Sequence, residues 1–257
     1  MAKSSLPTNP FARFTHADQG YRQRLLWASH GEVGTGKTSF GLGAPGPIVV
    51  FSLDKGLEGV VEKYQSEKLI YFKEYAWSPG EFKDDDDAAK AAAMDLRDEM
   101  IADYEHALTV ARTVILDKET NIWEVFRYAE FGGPNDAPRN YPKLNQAYRH
   151  FVNLGKDTDL NIGFIQSMKD EWSTVKKADG STKGAFTGKR VRTGFSELDE
   201  LVHIDLRHRR EDGKFLIDVG KSRGPGSGDI QDQTFENLSF SDFAMMVFPE
   251  STPEDWQ

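Results

Sequence analysis

Five short runs of consecutive apolar residues punctuate an otherwise polar chain. Leu25-Leu26-Trp27-Ala28 leads into a glycine-rich turn, and Ile48-Val49-Val50-Phe51 follows Pro45-Gly46-Pro47. Leu69-Ile70-Tyr71-Phe72 comes next, Thr113-Val114-Ile115-Leu116 ends on Asp117, and Leu160 to Ile165 is the fifth. Runs of this length bounded by turn residues predict buried strands of a parallel sheet. Between them, residues 84–111 predict a helix, with an Asp run at the start and Met94, Met100, Ile101 and Leu108 near helical spacing. Helices are also predicted over 121–131 and 141–156, separated by Gly132-Gly133-Pro134-Asn135. Residues 202–207 and 214–219 predict an antiparallel hairpin around Glu211-Asp212-Gly213, and a short helix falls near 241–247. The Gly-, Lys- and Thr-rich stretch 169–196 predicts a long mobile loop. Strands alternating with helices indicate an α/β fold, with a mainly parallel central sheet flanked by helices and a C-terminal antiparallel hairpin. The expected organisation is an arm over 1–24, packed through Phe11 and Phe14, a core over 25–224, and an appendage over 225–257.

Composition narrows the class. The chain has 257 residues, 38% of them hydrophobic, which suits an ordinary globular protein. It has no cysteine, which excludes disulfides and thiolate chemistry and fits a reducing cytoplasm. No run approaches a membrane span, and the N-terminus lacks the apolar stretch of a secretory signal, so a cytoplasmic protein without a membrane partner is expected. The six histidines show no metal-ligand spacing. Asp84 to Asp87 suit a solvated helix cap better than a cation site.

The sharpest chemistry lies in Gly31-Glu32-Val33-Gly34-Thr35-Gly36-Lys37-Thr38, followed by Ser39. It matches the phosphate-binding pattern G-x-x-x-x-G-K-[ST] in full. Glycines let successive backbone N–H groups curl around phosphates, and the following helix adds its positive end. Lys37 would reach the β- and γ-phosphates of ATP, and the Thr38 hydroxyl would hold Mg²⁺. Asp117, at the end of its strand, is the expected second metal ligand, the alternative being a helix cap. Orienting a water for attack on the γ-phosphate calls for a further carboxylate. Asp54 is preferred over Glu58 because it lies where the ligand crevice of an open α/β sheet falls. Gln166, ending the fifth apolar run, is either a sensor of the γ-phosphate or a plain strand terminus.

The ordered set formed by this loop, Ser52-Leu-Asp-Lys-Gly-Leu-Glu-Gly59, Val114-Ile-Leu-Asp117 and Ile162-Gly-Phe-Ile-Gln-Ser-Met-Lys-Asp-Glu-Trp172 resembles the RecA-like P-loop ATPases of bacteriophages, in particular the Sak-type single-strand annealing ATPases. The resemblance spans about residues 25–224, although Ser52 stands where many relatives carry Asp. It implies a RecA-like P-loop core that binds and hydrolyses ATP with Mg²⁺ and takes part in annealing or recombination in phage DNA metabolism. The implied partners are single-stranded DNA, further copies of the chain in a ring or filament, and a single-strand DNA-binding protein. By position it implies a hydrolysis-promoting role for Asp54, a sensor role for Gln166, and a DNA-facing loop over 169–196. Lys221-Ser222-Arg223 matches the basic residues that reach a neighbouring subunit's ATP, the alternative being a solvated strand end.

Charge agrees with a nucleic-acid face. Residues 169–224 hold thirteen Lys and Arg against ten Asp and Glu, a +3 segment in a chain whose total is −9. Lys176, Lys177, Lys183, Lys189, Arg190 and Arg192 cluster with Asp179 alone among them, and Trp172 and Phe186 are placed to stack on unpaired bases. A solvated charged loop is the bland alternative. Two rival functions remain: a phosphotransferase acting on a small acceptor, with the 207–210 cluster as its lid, and an ATP-gated assembly factor that binds no DNA.

Overall fold

The computed structural model describes residues 23–82, 85–133, 141–176 and 182–257, the side chains of 175, 176 and 182 excepted. The expectations for Phe11 and Phe14 and for Lys177 fall outside the described residues, as does the side chain of Lys176.

The strands are β1 (Leu26–Gly31), β2 (Ile48–Ser52), β3 (Ile70–Glu74), β4 (Thr113–Asp117), β5 (Asn161–Gln166), β6 (Met168–Lys176), β7 (Thr182–Arg192), β8 (Ile204–Glu211), β9 (Lys214–Lys221) and β10 (Thr234–Glu236). The helices are α1 (Lys37–Leu42), α2 (Asp86–Val110), α3 (Glu119–Phe131), α4 (Tyr141–Lys156), α5 (Leu198–Leu201), α6 (Ser227–Ile230) and α7 (Phe240–Val247). Eight strands form one sheet in the order β10-β9-β8-β1-β5-β4-β2-β3. The six strands from β8 to β3 run parallel, and β9 and β10 add antiparallel to β8 and β9. This is the expected α/β architecture with its hairpin.

Alternation along each strand builds a core on either face of the sheet. Leu26 and Ala28 of β1 point into a large core shared with Tyr104 of α2, Phe126 of α3, and Tyr148 and Phe151 of α4. Trp27, between them, joins Phe40 of α1, Phe240 and Phe243 of α7, and Trp256 on the other face. The C-terminal segment is therefore packed against the face that carries α1. In the central strands β4 and β5 every residue is buried, which explains their continuous apolar runs. The edge strand β3 instead leaves Tyr71 and Phe72 exposed. At the Asp run, Asp85 caps α2 by accepting a hydrogen bond from the Ala88 backbone N–H at 2.9 Å, as a solvated cap should.

One expected element is corrected. Residues 169–196 do not form a loop: β6 and β7 pair antiparallel from Met168↔Arg192 to Lys176↔Thr182 as a separate two-stranded ribbon. The ribbon buries almost nothing, so its sequence lacks the apolar alternation that marks a half-buried strand. Backbone hydrogen bonds and the cross-strand pair Trp172–Phe186 hold it together, with ring centroids 6.0 Å apart.

Candidate nucleotide site

The phosphate loop joins β1 to α1 at the C-terminal edge of the parallel sheet. Gly36 takes a left-handed conformation, with φ +88°, as the N-cap of α1. The loop, Asp54, Asp117, Lys118, Ser167, Met168, Arg190 and Phe215 line a cavity of about 400 Å³. Every member of the predicted phosphate set, from Gly31 to Ser39, lies on its wall. The Lys37 ammonium folds onto the loop, donating to the carbonyl oxygens of Gly31 at 2.9 Å and Glu32 at 2.6 Å. Burial, and after it the Lys118 charge, holds its pKa below the ordinary lysine value. A lysine that has given up solvent for two carbonyls is ready to exchange them for phosphate oxygens.

Thr38 and Asp117 converge from different elements: the Thr38 hydroxyl donates to Asp117 Oδ2 at 3.1 Å. Burial pushes the Asp117 carboxyl up to about 6, and the nearby Asp54 charge adds to this. Thr38 and Lys118 act in the opposite sense. These are hard oxygen donors, the type Mg²⁺ prefers, and Mg²⁺ sites are completed by phosphates and waters. Among the described residues no group of three or more His, Cys, Asp or Glu is placed to hold a metal alone.

Asp54 and Glu58 are both exposed, but Asp54, just beyond β2, lines the cavity and Glu58 does not. Asp54 is held at both oxygens: Oδ1 accepts the Gly56 N–H at 3.0 Å, and Oδ2 pairs with Lys118 Nζ at 3.2 Å. Lys118 also reaches Ser167 Oγ at 3.3 Å, so it ties the ends of β2 and β5 across the cavity. The sequence reading missed Lys118. Its signal was adjacency to Asp117 at a strand end, where its backbone adopts φ +64° to begin α3.

Gln166 is fully buried and does not line the cavity, whereas its neighbours Ile165 and Ser167 do. Gln166 Nε2 donates to Glu119 Oε2 at 2.9 Å, and its Oε1 has no partner among the described residues. Glu119 is also fully buried and accepts from the Tyr148 hydroxyl at 2.6 Å and the Phe195 N–H at 3.3 Å. Burial pushes its carboxyl up to about 7 against the three donors. A Cβ at Gly194 would collide with Glu119 Oε2, so only glycine fits where the ribbon returns to the core. Thr193 N–H donates to the Ser167 carbonyl at 2.9 Å, closing the ribbon's base beside this network. Nothing in the sequence marks Glu119 as the centre of this buried network, because one carboxylate at a helix start is ordinary.

Neither Lys221 nor Arg223 lines this cavity. β9 runs antiparallel to β8, so Phe215 at its beginning sits against the phosphate loop while Lys221 pairs with Asp205 toward the other edge. There Lys221 Nζ donates to the carbonyls of Asp199 and Val202. Burial and the nearby Arg223 hold its pKa below the usual lysine value.

The predicted DNA-binding residues divide. Lys183 and Lys189 are exposed on the ribbon. Arg192 is tied to Asp199 at 2.7 Å and Asp205 at 3.2 Å, which makes it a brace at the ribbon's base. Arg190 bridges from the ribbon to the phosphate loop, 2.7 Å from Glu32 Oε2. Trp172 and Phe186 are 64% and 50% exposed.

No protein-family model matches the chain, and no curated protein matches it. Among solved structures the crystal structure of the RadB recombinase is similar, at 13% sequence identity and a TM-score of 0.47, over 84% of this chain and 88% of that one. No helix among the described residues is long and apolar enough to cross a membrane.

Proposed function

We propose that the chain is a RecA-like P-loop ATPase of the phage Sak type, which binds single-stranded DNA and uses ATP to control annealing or recombination. The carrying observation is the convergence of Lys37, the Thr38–Asp117 hydrogen bond and the Lys118-held Asp54 on one cavity. Backbone N–H groups of 31–38 and Lys37 hold the phosphates, and Thr38 and Asp117 hold Mg²⁺. When bound there, Mg²⁺ would supply positive charge that stabilises the negative charge developing on the phosphates. Asp54 orients the attacking water, and Lys118 fixes its carboxylate. The Glu119–Gln166 network lies between the cavity and the ribbon base, so Gln166 serves as a relay behind Ser167 and not as a direct phosphate ligand.

The exposed ribbon, with Lys183, Lys189, Trp172 and Phe186, is the DNA-facing element, and Arg190 links it to the loop. Lys221 and Arg223 are absent from the lining of the chain's own cavity, which supports the reading that they serve the phosphates of a neighbouring copy in a ring or filament. The core over 25–224 carries both functions.

The test is phosphate release from ATP with and without single-stranded DNA, for the wild type, Lys37→Ala and a Lys183→Ala/Lys189→Ala variant. The proposal expects no turnover in Lys37→Ala, and DNA stimulation in the wild type that the ribbon variant loses. Turnover that requires a small acceptor identifies a phosphotransferase instead. Nucleotide binding with neither turnover nor DNA binding identifies an assembly factor.

A further inference from the structure

A second cleft opens beside the nucleotide cavity, between the returning ribbon strand β7 and the C-terminal end of β8. It measures about 460 Å³, and its lining includes Glu32, Lys189, Arg190, Arg207, His208 and Arg209. Four of these are cations and one is a carboxylate. The cations are not equivalent. Arg209 is neutralised by Asp218 at 3.0 Å and by Glu211. Arg190 is shared between Glu32 at 2.7 Å and Asp170 at 3.4 Å. Lys189 and Arg207 are exposed and make no side-chain hydrogen bond or ion pair among the described residues, although Arg207 faces Asp218 across the strands and helps to lower its pKa. Burial holds the His208 imidazole neutral, and it adds no charge.

We infer that this cleft holds the phosphodiester backbone of a single strand of DNA, with Lys189 and Arg207 as its phosphate contacts and Glu32 as the group that sets its affinity. The inference rests on the DNA-binding reading above. A lone compact phosphate suits a loop of converging backbone N–H groups, which the neighbouring cavity already provides. Here the two cations outside ion pairs, Lys189 and Arg207, sit on separate elements, one on the ribbon and one on the central sheet, with an open cleft between them. That arrangement matches an extended polyanion. The same ribbon presents Trp172 and Phe186 to solvent, which supplies a stacking surface for the bases of such a strand.

Glu32 gives the cleft its link to the nucleotide. It belongs to the phosphate loop, its backbone carbonyl accepts from Lys37, and its carboxylate holds Arg190 of the ribbon. Its charge also opposes a phosphate backbone in the cleft. Removing that charge therefore strengthens DNA binding, whereas removing the cations weakens it.

The experiment measures affinity of the full chain for a fluorescent single-stranded oligothymidylate across a salt series, in the wild type, Arg207→Ala, Lys189→Ala/Arg207→Ala and Glu32→Gln. Melting temperature checks that each variant folds. Each lost phosphate contact is expected to lower the slope of log affinity against log salt by about 0.7. Arg207→Ala then loses about one such step and the double variant about two, while Glu32→Gln binds more tightly. Wild-type binding with unchanged slopes in both cation variants overturns the cleft and leaves the DNA reading standing. Weaker binding in Glu32→Gln overturns the role of that carboxylate. A wild type that binds no single-stranded DNA overturns both the cleft and the DNA reading.

Discussion

Two antiparallel hairpins of similar length sit side by side, and they are built on different principles. The β8–β9 hairpin extends the central sheet. Ile204, Leu206 and His208 of β8 and Ile217 and Val219 of β9 are buried, with polar residues alternating on the other side. The β6–β7 hairpin stands apart as its own two-stranded sheet, joined to the core by Ser167, Thr193 and Arg192. The first is held by burial and the second by a backbone ladder, and a two-stranded ribbon without a buried face has little stability of its own. The contrast matches the division of labour proposed here: a fixed wall for the phosphate site and an adaptable surface for a flexible polymer.

Substitutions at matched positions should separate the two most strongly. Leu206→Ala empties a fully buried site in the core shared with Trp27 and Phe243, and it should cost about 2–5 kcal/mol of stability in denaturant unfolding. Trp172→Ala removes a larger side chain from the exposed ribbon and should leave stability within about 0.5 kcal/mol. It should instead weaken single-stranded DNA binding by about 1–3 kcal/mol, the usual worth of one aromatic stacking platform. Equal destabilisation by the two variants would erase the distinction.

The integrated hairpin also carries a pH signature. His208 donates to or accepts from Ser29 Oγ at 3.0 Å, and burial lowers its pKa from 6.5 to about 3. The charges of Lys37 and His30 act in the same direction, and Asp218 acts against them. Above pH 6.5 both the folded and unfolded chains leave this ring neutral. As pH falls from 6.5 toward 3, the unfolded chain takes the proton and the folded chain does not, so stability drops by up to about 1.4 kcal/mol per pH unit. His208→Leu should flatten that part of the stability–pH curve relative to the wild type, whatever its effect at neutral pH. A slope unchanged between pH 6 and 4, on about the same scale of 1.4 kcal/mol per unit, would mean that the ring is protonated inside the fold.

The same contrast explains what the sequence revealed. Central strands announce themselves because burial on both faces demands unbroken apolar runs, as at Val114–Leu116 and Ile162–Ile165. The β8–β9 hairpin was legible from its turn, although the first strand runs over Ile204–Glu211 and not 202–207, so that Glu211 belongs to the strand and the turn is Asp212-Gly213. The ribbon was not, since a strand that buries neither face is under no pressure to alternate, and its Gly and Lys content resembles a loop. Around the cavity, the phosphate-loop motif and Asp117 stood out in the sequence because the chemistry proposed for them fixes residue type and spacing, and they do line one cavity. Lys118, Glu119 and the Arg190–Glu32 bridge were not, because each depends on contacts between elements distant in the chain. Gln166 was found at the right strand end, but a partner 47 residues away turns its side chain from the cavity.

The smallest effect gives the finest comparison. Gly188 in the ribbon and Gly213 in the β8–β9 turn have nearly the same backbone, with φ +81° and +80°, and a Cβ at either would meet nothing within 4 Å. Asp212 and Gly213 both have positive φ, as a two-residue turn that follows the strand twist requires. Replacing either glycine with alanine therefore costs only the left-handed conformation, about 1 kcal/mol. At Gly213 that strain belongs to a strand pair packed into the core, so it should appear in global unfolding. At Gly188 it should be absent from global unfolding and appear as faster hydrogen exchange of the ribbon amides, because the ribbon opens without the core. Equal loss of global stability in the two variants would show that the ribbon unfolds only with the sheet, and its adaptability as a DNA surface would have to come from side chains alone.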